Sequence, residues 1–216
     1  MAAPHTLERL PIFPLRRAFA FPGLVTPLHI FEPRYREMVA DALAGDHRIA
    51  IAHPDETQPP RTDGEPAVRA VCGVGEITRH EQLPDGRYNI LLAGVGRARI
   101  EAELSTPRLY RAVRATWIDD ARDAAAERML CERVRQLALA LLKHGERGPR
   151  DTVWAQLASE RIGAELLSNV FPRLLFDDPA QHQAMLELAS VSGRLAALAD
   201  HLELRLIDAA DGSAAT

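Results

Sequence analysis

The chain has 216 residues, of which 47% are hydrophobic and 26% are charged, as in an ordinary globular protein. This composition excludes a disordered, a collagen-like or a disulfide-scaffold protein. The formal net charge is −4, which gives no electrostatic reason to expect a nucleic-acid partner, because such binding depends largely on phosphate neutralisation. The longest apolar run, 137–142, is much shorter than the roughly 20 residues that cross a bilayer.

The two cysteines and the amino terminus predict a cytoplasmic protein with free thiols and no membrane partner. Cys72 and Cys131 stand alone, without a second cysteine or a histidine at metal-binding spacing. Residues 1–10 lack the apolar core of a secretory signal. We therefore expect neither a bound metal nor a cofactor.

The chain up to about residue 118 has the pattern of short strands separated by turns. The predicted strands are 10–15, 25–30, 49–52, 68–78, 87–93, 97–104 and 110–118. Pro11 and Pro14 lie within the first of these, which predicts an edge strand or an extended segment. The connections are mostly too short for helical crossovers, so the sheet should be mostly antiparallel and should form a small barrel or a curled sheet.

One helix interrupts the strands. Pro33 suits a first helical turn and Gly45 suits the left-handed position after the last turn. Four apolar residues at helical spacing should face the core: Tyr35, Met38, Val39 and Ala42. The proline-rich stretch 54–66 is predicted as a mobile loop, and Asp85-Gly86 as the turn between two strands.

After Asp119 the period of the apolar residues changes to that of helices. One stripe comprises Leu130, Val134, Leu137 and Leu141, and another comprises Val191, Leu195, Leu198, Leu202 and Leu206. Shorter helices are predicted over 153–157, 162–170 and 180–188. The sequence thus predicts a β-rich subdomain over 8–118, a helical bundle over 123–207 and a disordered tail over 209–216.

No arrangement of residues in the sequence predicts catalysis. Lys143, the one lysine, has neither the glycine-rich turn of a P-loop nor a serine at the spacing of a Ser-x-x-Lys nucleophile. The tripeptides Gly73-Val-Gly75 and Gly94-Val-Gly96 lack the third glycine of a dinucleotide loop, and we interpret them as places where strands bend or bulge. The histidines and carboxylates are dispersed, so solvated surface is the favoured role for them.

Several blocks of the sequence together resemble the amino-terminal substrate-binding domain of the Lon proteases. The blocks are Leu10-Pro-Ile-Phe-Pro-Leu15, Phe21-Pro-Gly23, Pro27-Leu-His-Ile-Phe-Glu-Pro-Arg-Tyr-Arg-Glu-Met38, Cys72-Gly-Val-Gly-Glu-Ile77, Leu83-Pro-Asp-Gly-Arg-Tyr-Asn-Ile90 and Gly94-Val-Gly-Arg-Ala-Arg-Ile100. Weaker matches follow at Leu157-Ala-Ser-Glu-Arg-Ile162 and Met185-Leu-Glu-Leu-Ala-Ser-Val-Ser-Gly-Arg194. The resemblance extends over about 8–206, and Ile-Phe-Glu-Pro-Arg-Tyr is its most specific part.

The resemblance implies an α+β fold, with a PUA-like antiparallel β-barrel and one packed helix followed by an all-helical bundle. It also implies a free-standing substrate-binding domain, without ATPase or protease activity of its own, that recognises unfolded or misfolded polypeptide. Such a domain would act as an adaptor or holdase in protein quality control, with a separate ATP-dependent protease as a candidate second partner.

Seven residues are candidates for contact with a polypeptide. They are Phe19, Phe21, Pro22 and Leu24 in a loop-like stretch, and Glu32, Arg34 and Tyr35 at the start of the helix. The loop-like stretch would place its aromatic side chains near the surface. The alternative is that Phe19 and Phe21 close one end of the barrel core. For the residues at the helix start, the structural interpretation is favoured: a carboxylate at the amino terminus, an arginine paired with a barrel carboxylate and a packed tyrosine.

Two other functions stay open at this stage. PUA-like barrels elsewhere contact RNA, although fold is a poor guide to function and the net charge argues against it. A hydrolase assembled from dispersed histidines and carboxylates is the less favoured alternative, because no arrangement satisfies the usual requirements of an active site.

Overall fold

The computed structural model describes residues 6–62, 64–144, 155–156 and 162–213. It separates into two units, Met1–Asp119 and Asp120–Thr216. The prediction of subdomains over 8–118 and 123–207 remains a proposal that expression of either part alone would test.

Six strands and one helix are found in the described part of the first unit. They are β1 (Thr6–Pro14), β2 (Val25–Ile30), α1 (Pro33–Ala44), β3 (Arg48–Ala52), β4 (Val71–Gln82), β5 (Tyr88–Leu104) and β6 (Arg111–Trp117). The strands predicted at 87–93 and 97–104 are one continuous strand, β5. Val74 pairs with Gly96 and Gly75 pairs with Gly94, so Val95 is accommodated as a bulge. The two Gly-Val-Gly tripeptides lie on neighbouring strands, and the bulge at Val95 confirms the interpretation for 94–96.

The strands form a nearly closed ring because β5 is long enough to pair with three neighbours. Its first half pairs with β2, its second half pairs with β6, and β4 pairs along most of its length. The ring runs from β5 through β4, β3, β1 and β6 back to β5, while β2 pairs, among the described strands, with β5 alone. The pairing of β1 with β3 is parallel and the other described pairings are antiparallel.

The prediction of an edge position for the first strand is wrong, because β1 lies between β3 and β6. The pairing register explains why its prolines are tolerated. Pro11 pairs only with Ala112 on β6, since the pairing with β3 begins at Ile12. Pro14 is the last residue of the strand. Each proline is therefore paired on one side only, with Ala112 of β6 or with Ala52 of β3, which is where a missing N–H is tolerated.

Helix α1 packs on the sheet as predicted. Tyr35, Met38, Val39 and Ala42 are buried, and the centroid of the Tyr35 ring is 4.1 Å from that of Phe13. The predicted left-handed conformation of the glycine after the helix is wrong, since Gly45 has a φ of −116°. His47 adopts the left-handed conformation instead, with a φ of 62°, while its N–H donates to the carbonyl of Ala42.

The second unit contains the helices α2 (Ala124–His144), α3 (Ala164–Leu175), α4 (Pro179–Glu187) and α5 (Val191–Ser213), and the described residues 155–156 are also helical. Val191, Leu195, Leu198 and Leu202 of the predicted stripe on α5 are buried. On α2 the buried positions are Glu127, Cys131, Val134 and Ala138. Leu130, Leu137 and Leu141 of the predicted stripe are only half-buried.

The last helix extends further than the sequence pattern predicts. Positions 209–213 belong to α5, so the prediction that they form a disordered tail is wrong; the alanines there have the highest intrinsic helix propensity. The remainder of that predicted tail, 214–216, and the helix predicted over 153–157, apart from 155–156, lie outside the described residues. No described helix combines the length and the apolar character that a membrane span requires.

Both thiols are expected to be unreactive in the folded protein. Cys72 is fully buried, and burial raises the pKa of its thiol to about 12. Burial also raises the pKa of Cys131. Because the thiolate is the reactive form, a chromogenic disulfide reagent at pH 8 should label neither cysteine in native protein and both in denaturant. Rapid labelling of native protein would contradict the burial of these residues.

Candidate functional site

The two aromatic residues that the sequence suggested for ligand contact are buried. Phe19 is 3% exposed and Phe21 is 0% exposed, with their ring centroids 6.1 Å apart. The Phe19 ring also stacks on His53. Their predicted placement near the surface is therefore wrong, and their burial agrees with the alternative that they belong to the core. Pro22 and Leu24 are half-buried, and their contact with a ligand stays a prediction.

Two glycines explain why the stretch 19–21 is buried and not exposed to solvent. A Cβ on Gly73 of β4 would lie 2.1 Å from the carbonyl oxygen of Ala20, and a Cβ on Gly94 of β5 would lie 2.0 Å from that of Phe21. The main chain of 20–21 thus rests directly on the two strands, at a distance that only glycine allows. This close approach buries the flanking aromatic rings.

An apolar groove lies over the β2, β5 and β4 strands. Its volume is about 760 Å³, larger than two polar clefts of about 310 and 370 Å³ in the same unit. Its lining residues are Pro27, Leu28, His29, Arg79, His80, Glu81, Asn89, Ile90 and Leu91. Pro27 pairs with Leu91 across the β2–β5 ladder, so their side chains meet on one face of the sheet.

The alternation of exposed and buried side chains along β2 explains why apolar side chains reach solvent beside the apolar groove. Thr26 and Ile30 are buried, whereas Val25 is 57% exposed and Pro27 is also exposed. Phe31, immediately after the strand, is 61% exposed, and its ring stacks with that of His29 at a centroid distance of 6.2 Å. Exposed apolar side chains grouped in this way are typical of an interaction surface.

A chain of hydrogen bonds crosses one end of the apolar groove. His29 Nδ1 lies 2.7 Å from Asn89 Oδ1, and Asn89 Nδ2 donates to Glu81 Oε2. Arg87 Nη1 lies 3.3 Å from His29 Nε2. An amide oxygen only accepts and a guanidinium only donates, so these two contacts match the His29 tautomer that donates from Nδ1 and accepts at Nε2. The network holds the His29 ring in place between the apolar residues and the charged turn.

The residues predicted at the helix start lie at or beside a charged cleft elsewhere in the same unit. Arg34 pairs with Glu32 at 2.9 Å and with Glu65 at 2.5 Å, so its partner is a loop carboxylate rather than one on a barrel strand. Tyr35 is 5% exposed, and burial raises the pKa of its phenol. Arg61 pairs with Glu103 across the cleft. This arrangement favours a structural role, in which the two ion pairs hold Arg61 and Glu65 of the loop at the cleft.

Histidines that are distant in sequence converge at one place in the second unit. The rings of His182 and His201 both contact the ring of Phe176, at centroid distances of 6.1 and 4.7 Å. Burial lowers the pKa of both histidines. The described residues contain no group of three or more His, Cys, Asp or Glu side chains that could hold a metal ion.

Comparison with known proteins first identifies the class to which this fold belongs. The structure is similar to the N-terminal domain of the Mycobacterium avium complex Lon protease, with a TM-score of 0.70, 21% identity and coverage of 91% of this chain and 98% of that chain. It is also similar to a Lon N-terminal domain protein from Xanthomonas campestris, with a TM-score of 0.59 at 21% identity, covering 89% of this chain and 97% of that chain. The α+β fold, a near-barrel sheet with a helix followed by a helical region, is that of Lon amino-terminal domains.

The family follows from the sequence match. The model of the ATP-dependent protease La (LON) substrate-binding domain matches residues 9–203, so the chain belongs to this family. The Lon protease of Azorhizobium caulinodans is 26% identical over 195 residues, which are 89% of this chain and 22% of that protein. That of Trichlorobacter lovleyi is 31% identical over 139 residues, 61% of this chain and 16% of that protein. The match thus spans less than a quarter of the length of either relative.

Residues of the apolar groove were not singled out from the sequence. The signal was present in β2, where apolar residues occupy both of its faces: Val25, Pro27 and, after the strand, Phe31 on one side, Leu28 and Ile30 on the other. A strand of an antiparallel sheet that packs one face on the core and exposes the other to solvent needs only one apolar face. The excess of apolar residues on β2 could have indicated an exposed apolar surface.

Proposed function

We propose that this chain binds exposed apolar segments of unfolded polypeptides at the apolar groove. The observation that carries the proposal is the row of exposed apolar side chains along β2 and immediately after it, Val25, Pro27 and Phe31. Folded proteins keep such segments buried, so a surface of this kind selects unfolded chains. Membership of a substrate-binding domain family supports the same assignment.

The affinity should be modest, because a flexible ligand loses conformational entropy when it is ordered on the surface. Weak binding suits a domain that must release its polypeptide. We therefore extend the proposal to an adaptor role, in which the chain presents unfolded polypeptides to an ATP-dependent protease.

Substitution of the exposed Phe31 together with the groove residue Leu91 tests the binding site. Phe31→Ser combined with Leu91→Ser should weaken binding about tenfold or more, since aromatic and aliphatic anchors dominate such interfaces. The measurement is fluorescence anisotropy with a labelled, reduced and carboxymethylated protein that stays unfolded. A labelled single-stranded RNA is titrated beside it at the same salt concentration.

Leu109→Ser is the matched control, because Leu109 is 66% exposed in the same unit but lies at the charged cleft. It should leave the dissociation constant unchanged. Equal affinity of the double variant and the wild type would contradict the assignment of the apolar groove. Saturable binding of RNA alone would replace polypeptide with RNA as the ligand.

The adaptor role has a separate test. Addition of the wild-type chain should change the rate at which an ATP-dependent protease degrades the same unfolded protein, and the Phe31→Ser, Leu91→Ser variant should not. A rate that is independent of the wild-type chain would restrict the function to binding.

A further inference from the structure

The free edge of β2 can recognise the main chain of a ligand as well as its side chains. All six residues of β2 pair with β5, from Val25 with Ala93 to Ile30 with Tyr88, without a bulge. No strand among the described residues pairs with the other edge of β2. A strand edge without a pairing partner presents N–H and C=O groups with which another extended chain can form hydrogen bonds.

The pairing alternation identifies the main-chain groups on this edge. The Gly94 N–H donates to the Leu24 carbonyl at 2.7 Å, immediately before the strand. Hydrogen-bonded and non-hydrogen-bonded pairs alternate in an antiparallel ladder, so the main-chain groups of Val25, Pro27 and His29 point away from β5. We call these three residues the open edge. Pro27 fits there, because its missing N–H costs no bond to β5.

The charge of the segment restricts what can bind to the open edge. Residues 25–31, Val-Thr-Pro-Leu-His-Ile-Phe, contain no lysine, arginine, aspartate or glutamate. Exposed edges are commonly protected by charged side chains, and here Pro27 alone interrupts the row of donors. Burial of a charged side chain against this uncharged segment would cost free energy, so the occupant favoured at the open edge is an uncharged, apolar, extended segment.

We propose that the polypeptide bound at the apolar groove adds to the open edge as an extra strand next to β2. This inference rests on the proposed function and specifies its mode: side chains enter the apolar groove while the ligand main chain pairs with Val25, Pro27 and His29. The single donor missing at Pro27 weakens the pairing and keeps the bound polypeptide releasable.

Variants that add or remove one N–H on the open edge test this mode. Val25→Pro removes a donor at the first residue of the strand, where proline is tolerated, and Val25→Ala removes the same side chain but keeps the donor. We expect Val25→Pro to bind about five times more weakly than Val25→Ala, and Pro27→Val to bind about five times more tightly than wild type, as one hydrogen bond predicts. The ligand is a fluorescein-labelled peptide of about eight residues in which leucine alternates with serine, and thermal melts establish that each variant is folded.

The ligand main chain provides a second measurement. Two copies of the peptide are N-methylated, one at its odd and the other at its even amides. Successive amides of a strand point in opposite directions, so one copy should bind at least about tenfold more weakly than the other if it pairs with β2. Recognition through side chains alone predicts that both copies bind equally.

The outcomes separate this inference from the proposed function. If Val25→Pro matches Val25→Ala, Pro27→Val matches wild type and both methylated copies bind alike, strand addition is overturned. The proposed function survives that result provided that Phe31→Ser with Leu91→Ser still weakens binding. Failure of the wild type to bind both the unfolded protein and the peptide overturns both proposals.

Discussion

Replacing Asp120 with alanine is expected to lower the free energy of unfolding of the helical unit by about 3–5 kcal/mol, because it leaves a buried guanidinium without its anion. Arg194 on α5 is 1% exposed, and both of its terminal nitrogens lie 2.7 Å from the Asp120 carboxylate. Ser168 and the Leu188 carbonyl accept further hydrogen bonds from it, but neither carries a charge. Urea denaturation followed by far-ultraviolet circular dichroism measures the change.

Asp119→Ala is the matched control, since Asp119 is the preceding residue and is exposed. It should change the free energy of unfolding by less than about 0.5 kcal/mol. Glu203→Ala, which breaks the exposed pair with Arg133, should cost less than about 1 kcal/mol. If Asp119→Ala and Asp120→Ala lowered the free energy of unfolding equally, the buried pair of Asp120 with Arg194 would not be a specific source of stability.

A methyl group at Gly94 is expected to destabilise the β-rich unit by at least about 3 kcal/mol, at the upper end of the usual cost of overpacking. The added Cβ would lie 2.0 Å from the carbonyl oxygen and 2.6 Å from the carbonyl carbon of Phe21. These are main-chain atoms, held by a bond from the Gly23 N–H to the Gly94 carbonyl, so they cannot rotate away as a side chain could. Gly94→Ala is measured by thermal and urea unfolding.

Gly45→Ala serves as the control for this substitution. Its Cβ would have its nearest neighbour at 3.5 Å, an ordinary van der Waals distance, so no atom has to move to admit the methyl group. Gly45→Ala should therefore cost clearly less stability than Gly94→Ala. If Gly94→Ala were as stable as Gly45→Ala, the close approach of 20–21 to β5 would be contradicted.

Local patterns in the sequence predicted the elements whose residues interact with near neighbours. Helix α1 follows from Pro33 and four apolar residues at helical spacing, all buried as expected. The strand 25–30 has the predicted bounds. The turn at Asp85-Gly86 is present, with Gly86 at a φ of 80°. In each case the signal lies within one element and is independent of its neighbours.

Predictions that depended on partners distant in sequence were less successful. The edge assignment of β1 was wrong because the pairing of its two sides depends on β3 and β6, which lie far along the chain. The separation of β5 into two strands was wrong because a bulge at Val95 allows the strand to continue. Neither the pairing register nor the position of a bulge can be read from one strand alone.

The candidate site likewise depends partly on local sequence patterns and partly on contacts between residues distant in sequence. The sequence by itself determined the family, the change from strand to helix near Asp119 and the apolar character of both 19–24 and 25–31. Only the tertiary structure decided which of these two apolar stretches reaches solvent. Gly73 and Gly94 let the main chain of 20–21 rest on β4 and β5, which buries Phe19 and Phe21. Val25 and Phe31 instead lie at the start of β2 and just after its end, and β2 pairs on one side alone among the described strands. The physical reason is that burial depends on which surfaces meet in three dimensions, and those contacts join residues about 50 to 70 positions apart, beyond the range of any local pattern.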